Sequence, residues 1–268
     1  MKQKRNAFLY IGGAMSAVMT ILILVGFFWT PYSTTAMDAM AKNQAPTLLH
    51  LLGTDNYGRD IFSRVLEGLG TSFLIGVSVV AIGCVCGILI GSFCGYYGGL
   101  ADVILTRICD AIAAFPSILL GLVIISVVGG GVLNLILALG ILFIPSFARI
   151  VRGEYARCRE MNYVKSARLV GAGDLNIMFR HILPNTIPVL LPAIIIGFNN
   201  AVLSEASMSF LGIGIQPPQA SLGSMLSDSQ TYLQSAPWYA LCTGGAIVLL
   251  ILSFSLLTEG LQQVNRRS

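Results

Sequence analysis

Long uncharged apolar runs alternate with shorter polar intervals along this chain of 268 residues. The first run, residues 6–37, follows Lys2, Lys4 and Arg5. Its portion 7–30 can cross a hydrocarbon core of about 30 Å as a helix rising about 1.5 Å per residue. Basic residues ahead of an apolar run also suit a secretory leader. This run is too long for the apolar region of one and lacks a small-x-small cleavage site, so it reads as a retained first span. A polar segment covers residues 31–70, and a second span is expected over 71–96. No charge occurs between Asp110 and Arg149, which is too long a stretch for one crossing. Gly129, Gly130 and Gly131 sit in its middle, where a turn costs least. The stretch therefore divides into a third span over 103–128 and a fourth over 132–150. A fifth, over 186–211, carries Pro188 and Pro192 near its start, which predicts a kinked entry. A second polar segment, 212–237, ends at Trp238 and Tyr239, residues suited to a membrane interface, and a sixth span runs to about residue 258.

One polar and basic interval among the spans has internal order. Residues 163–184 read YVKSARLVGAGDLNIMFRHILP. A first short helix over 163–170 is expected to stop at Gly171, a residue suited to a left-handed cap. Asp174 is expected to N-cap a second helix, in which Leu175, Met178, Phe179 and Ile182 recur at i, i+3, i+4 and i+7. Pro184 is expected to end it. The residues alone leave two uses open for this amphipathic hairpin: contact with a partner protein, or a place on the lipid surface.

Composition changes the class. Hydrophobic residues make up 55% of the chain and charged ones only 10%, against about 25% charged in soluble proteins. With six spans, thirteen of the sixteen Lys and Arg fall on the side of the termini and of the 151–185 loop. Only Lys42, Arg59 and Arg64 fall on the other, so the positive-inside rule makes the termini cytoplasmic. Basic residues distributed in this way imply lipid contact and no nucleic-acid partner. The six cysteines show no metal-ligand spacing and are expected to serve as small buried apolar residues without a disulfide framework.

The lysines, Lys2, Lys4, Lys42 and Lys165, are preceded by Met, Gln, Ala and Val, so no phosphate-cradling GxxxxGK[ST] loop exists. ATP-driven transport would need its ATPase on another polypeptide. No catalytic, cofactor or metal residue is expected. Neither His50 nor His181 is placed to serve a buried serine nucleophile, which argues against an intramembrane enzyme, and His50 near Asp55 reads as solvated rather than metal-bound. An ion-driven secondary transporter would favour several acids at membrane depth, and only Glu205 is a candidate. Three roles are open to Glu205: lining a pathway, pairing with a partner subunit, or reaching the outer interface. Arg107 and Asp110 are expected to pair. So are Asp60 and Arg64, for about 0.3–0.5 kcal/mol, on a short surface helix whose Ile61, Phe62 and Val65 face lipid or the next span.

Three motifs carry a family resemblance. Ala167, Gly171, Leu183 and Pro184 match the EAA loop of permease subunits of binding-protein-dependent ABC importers, with the Gly-to-Leu-Pro spacing kept. Lys165 and Ser166 replace its Glu and first Ala, and His181 stands at its Ile. The string LGTD-x-x-GRD-x-x-SR from Leu52 to Arg64 resembles the OppC/DppC/NikC type found in peptide and nickel importers. So does the SFLG-x-G-x-x-PP run from Ser209 to Pro218 with Gly223, Met225 and Leu226, although Leu222 stands where an aromatic residue is expected.

The resemblance implies an all-α integral membrane protein of the bacterial cytoplasmic membrane, with six transmembrane helices and the type I importer permease fold. Its parts would be a first helix within 1–30, an outside segment 31–70, a core 71–260 and a tail 261–268. The hairpin, 154–185, would dock on two separate ATPase subunits that hold ATP and Mg, through Ala167, Gly171, Asp174, Leu175, Met178, Phe179, Ile182, Leu183 and Pro184. A second homologous permease and an extracytoplasmic solute-binding protein complete the partners. Asp55, Arg59, Asp60, Pro217 and Pro218 would either form the rim that receives the binding protein or only hold the outer loops in place. The solute would be a di- or oligopeptide or nickel, and the short N-terminus and first outside loop lean towards nickel.

Overall fold

A computed structural model describes residues 2–265; Arg266 and Arg267, and the side chains of Lys2, Lys4 and Arg5, lie outside what it describes. The chain is almost wholly helical. Helix α1 is Lys2–Phe28, α2 Ile61–Tyr97, α3 Gly99–Ala113, α4 Ser117–Val128 and α5 Val132–Arg159. Helices α6, Asn162–Leu169, and α7, the single turn Asp174–Asn176, form the hairpin. A π-helical segment Ile177–Ile182 leads into α8, Leu183–Phe210, which is followed by α9, Leu222–Ser229, and α10, Pro237–Asn265. Among the described residues, five helical stretches are long and apolar enough to cross a membrane, and α3 with α4 makes a sixth if the bent pair counts as one span.

Close approach of α2 and α5 organises the bundle. Gly83, Gly87, Gly91 and Gly95 recur every four residues on α2 and face Phe143, Phe147, Ala148 and Tyr155 of α5. A Cβ on Gly87 would stand 2.5 Å from Phe147 Cβ and 2.9 Å from the Ala148 nitrogen, and one on Gly95 would meet the Arg152 carbonyl at 2.6 Å. In lipid no hydrophobic force drives helices together, so small residues that let backbones touch supply dispersion contact instead. The same device joins the remaining helices. Gly12 of α1 rests on Leu257 and Gly260 of α10 on Leu9, while Gly26 rests on the Leu66 carbonyl of α2. One core runs through the spans, and a second, with Tyr96, Tyr155, Val164, Met178 and Ile182, underlies the hairpin.

Three expectations need correction. The outside segment does not end in a separate surface helix: α2 starts at Ile61, capped by Asp60, whose side chain accepts from the Ser63 amide, and continues without a break into the span. Ile61 and Val65 accordingly belong to the core rather than facing lipid. The span expected over 103–128 is broken, with α3 and α4 bent by 87°. Pro116 lies between them and has no amide hydrogen to carry a helix through. Pro184 does not stop a helix. It occupies the first turn of α8, where its missing N–H is tolerated, and the π segment delivers the chain into it. The irregular entry to the fifth span thus lies before Pro188 and Pro192, both of which sit inside α8.

Replacing Gly87 by Leu should force α2 from α5 and lower stability by about 1–3 kcal/mol. Gly153→Leu, where nothing lies within 4 Å of an added Cβ, is the control. Thermal unfolding in mild detergent should show a clear fall in Tm for the first and little change for the second.

Candidate functional site

The hairpin is a surface feature supported from beneath. Gly171 takes φ +85°, the left-handed region expected of a glycine that ends a helix, and its amide donates to the Arg168 carbonyl at 3.0 Å. Gly173, not Asp174, holds the N-cap position of α7. Asp174 instead accepts a hydrogen bond from the Tyr96 hydroxyl at 2.6 Å, tying the hairpin to the end of α2. The Tyr155 hydroxyl of α5 donates to the Met178 carbonyl at 2.9 Å, one of the backbone groups in the π segment. Arg159 donates to the Tyr96 carbonyl at 3.1 Å, and the Arg168 guanidinium lies 5.2 Å from the centre of the Tyr96 ring. Burial, with Cys158 alongside, pushes the Tyr163 phenol up to about 12, so it is neutral at ordinary pH.

The residues expected to face a partner differ in exposure. Met178 and Ile182 are fully buried, Phe179, Ala167 and Leu183 are partly covered, and Leu175 and Pro184 are exposed. Of the i, i+3, i+4, i+7 stripe, Met178 and Ile182 pack on the chain's own core with Phe179 against them, so these two are corrected from contact residues to supports, while Leu175 stays outside. What the hairpin presents outward is Leu169 and Val170, each 88% exposed, beside Leu175. Both lie outside the Leu175–Ile182 repeat, on the first helix of the hairpin and the residue that follows it. Two adjacent large apolar residues directly before a capping glycine were the available signal.

A cavity of about 460 Å³ opens between α4, α5 and α8. Its polar lining is neutral: Ser117, Ser146, Asn200, Ser204 and Ser207. The last three recur at i, i+4 and i+7 on α8, a stripe hidden in an apolar run. Glu205 is not on this wall. It is fully buried on another face of α8, where it accepts from Ser72 Oγ at 2.7 Å and from Ser209 Oγ at 2.8 Å.

At the opposite end from the hairpin, residues 54–64 fold around buried charge. Asp55 accepts from Arg59 Nε at 2.6 Å and from the amides of Tyr57 and Arg59 at 2.8 and 2.9 Å. Arg64 Nε lies 3.6 Å from the same carboxylate, while Arg64 Nη1 donates to the Thr34 carbonyl at 2.8 Å. The expected Asp60–Arg64 pair is thus replaced: Asp60 is committed to Ser63 and to His50, whose Nδ1 is 2.9 Å away. Asp55, Arg59 and Asp60 are all buried, which removes them from any exposed rim, whereas Pro217 and Pro218 are exposed. Near the hairpin end, Asp110 pairs with Arg149 at 3.1 Å instead of with Arg107. Arg152 closes a second link between α5 and α3 by gripping Asp102 with two nitrogens.

Comparison with known proteins places this architecture. The description "Binding-protein-dependent transport system inner membrane component" matches residues 87–267. The chain belongs to that family. This permease is 38% identical over 255 residues to the glutathione transport system permease protein GsiD of Pectobacterium atrosepticum, covering 93% of this chain and 85% of that one. It is 39% identical over 260 residues to the protein of the same name from Escherichia coli O157:H7, covering 96% and 86%. Its fold is similar to a chain of the inward-facing MetNI methionine ABC transporter, with TM-score 0.52 and 20% identity over 74% of this chain and 94% of that one. The protein is therefore a multi-pass permease subunit of an ABC importer of the OppC/DppC type in a bacterial inner membrane, and not an enzyme.

Within this permease, Asp55 is the carboxylate that two almost wholly buried arginines share. Asp55→Ala should strand both charges and cost about 3–5 kcal/mol. Asp60→Ala, which removes a helix cap, should cost about 0.5–2 kcal/mol. Chemical unfolding of the two variants in detergent should rank them in that order.

Proposed function

We propose that this permease forms one half of a solute pathway and couples it to separate ATPase subunits through residues 154–185. A second, homologous permease supplies the other half, and an extracytoplasmic binding protein delivers the solute. The observation that carries the coupling reading is the pair Leu169 and Val170, exposed at a left-handed glycine turn that Met178 and Ile182 brace from inside. Apolar groups so displayed suit an apolar groove on a partner better than water. The excess of Lys and Arg on the hairpin side supports a cytoplasmic location, where the ATPases lie. Closure of the ATPases on ATP would push on a rigid element and bias the spans between two arrangements.

The solute that fits best is a small peptide rather than nickel. Relatives at 38–39% identity are named for glutathione transport, and the cavity wall is lined by hydroxyls and one carboxamide. Such groups hydrogen-bond a peptide backbone. The lining has no carboxylate, imidazole or thiol to ligate a bare divalent cation. With Glu205 away from this wall, a cation-coupled secondary transporter finds no acid in the cavity.

Purifying the permease with the proteins that accompany it in mild detergent, followed by mass spectrometry, tests the assembly. Two ATPases and a second permease are expected, and a lone chain active in liposomes would overturn the reading. In the reconstituted importer, Leu169→Asp with Val170→Asp should reduce ATP-driven peptide uptake about tenfold or more, as expected for loss of two apolar side chains that docking on the ATPase would bury. Gly171→Val should leave ATP hydrolysis running while uptake falls, and unchanged uptake would count against the coupling assignment.

A further inference from the structure

Beyond α8 the chain doubles back over its own helix. The amides of Ile213 and Gly214 both donate to the Met208 carbonyl at 3.1 Å, and a Cβ on Gly214 would lie 2.6 Å from Ser209 Cα. The Ile215 amide then donates to Ser209 Oγ at 3.2 Å. At the far end of this strap, residues 212–221, the Ala220 amide donates to Glu67 Oε1 of α2 at 3.3 Å. Gly223 follows, tight against Ala206 of α8. On its other side the strap meets the turn between α4 and α5, where a Cβ on Gly130 would sit 3.8 Å from both Gln216 Nε2 and the Ile213 carbonyl. The strap therefore bridges the ends of the helices that bound the cavity.

Glu205 is the hub of this arrangement. Its two carboxyl oxygens accept from Ser72 of α2 and Ser209 of α8, and all three side chains are buried. A hydroxyl has one proton. Ser209 Oγ donates to Glu205 while it accepts from the Ile215 amide, so the carboxyl holds the serine rotamer that presents this oxygen to the strap. A carboxyl buried without a cation is a costly way to pack two helices, and an apolar residue would fill the space more cheaply. We propose that Glu205 is a positioning residue whose hydrogen bonds to Ser72 and Ser209 latch the strap across the outer end of the solute pathway. This rests on the permease reading for the sense of "outer" and for the cavity as pathway.

The test uses the complete importer in proteoliposomes, with Ser204→Cys on the cavity wall as reporter. Modification by a membrane-impermeant maleimide from outside, without nucleotide or binding protein, is quantified at that peptide by mass spectrometry. Glu205→Ala should raise the labelling rate about tenfold, in line with loss of a buried hydrogen bond. Glu205→Gln, which keeps an acceptor and gains a donor for the same two hydroxyls, should restore slow labelling. If Glu205→Ala does not assemble, Ser209→Ala removes the relay with little change in volume and should give the same rise. Labelling equal to the parent in an assembled Glu205→Ala or Ser209→Ala importer overturns the latch, as does failure of Gln to rescue. Because labelling is read without ATP, a parent importer that takes up no solute would count against the permease reading alone.

Discussion

Everything in this fold hangs on how closely α2 and α5 can approach. A membrane interior offers no water to expel, so the helices hold one another by contact area rather than by burial from solvent. The four glycines from Gly83 to Gly95 remove a row of side chains from α2, and α5 fills the row with Phe143, Phe147 and the backbone around Ala148 and Arg152. With that seam closed, Tyr155 is set beneath the π segment and Tyr96 beside Asp174. The position of the hairpin is therefore inherited from a seam inside the membrane.

Polar groups are divided sharply by fate. Three carboxyls are enclosed with partners: Asp55 beside two arginines, Asp60 at the start of α2, Glu205 between two hydroxyls. The polar groups left on the open cavity are neutral. The division has a simple cause, since a charge at membrane depth costs several kcal/mol unless it has partners. It also leaves the cavity with a wall of neutral hydrogen-bonding groups.

The hairpin shows how a correct pattern led to a wrong surface. Periodicity located the apolar stripe through Met178 and Ile182, and a stripe on a helix between spans reads equally well as a face for a partner or for the protein itself. The structure turns it inward because the second core, beneath it, needs those side chains to cover Tyr155 and Val164. Leu169 and Val170 are left outside by the same turn at Gly171. In a similar way the Asp60–Arg64 spacing was right for a helical pair, but Arg64 reaches Asp55 and the Thr34 carbonyl, partners that sequence distance conceals.

By itself the sequence determined the class, the apolar runs, the left-handed turn at Gly171 and the motifs that mark the family, because hydropathy, glycine chemistry and short spacings are local properties. The tertiary structure alone decided which face of the hairpin is free, that one span is broken at Pro116, that α8 runs through Pro184, and that Glu205 turns away from the cavity. The free face of the hairpin and the direction of Glu205 depend on what lies across a helix seam, and hydropathy along one segment does not say which neighbour that segment will meet.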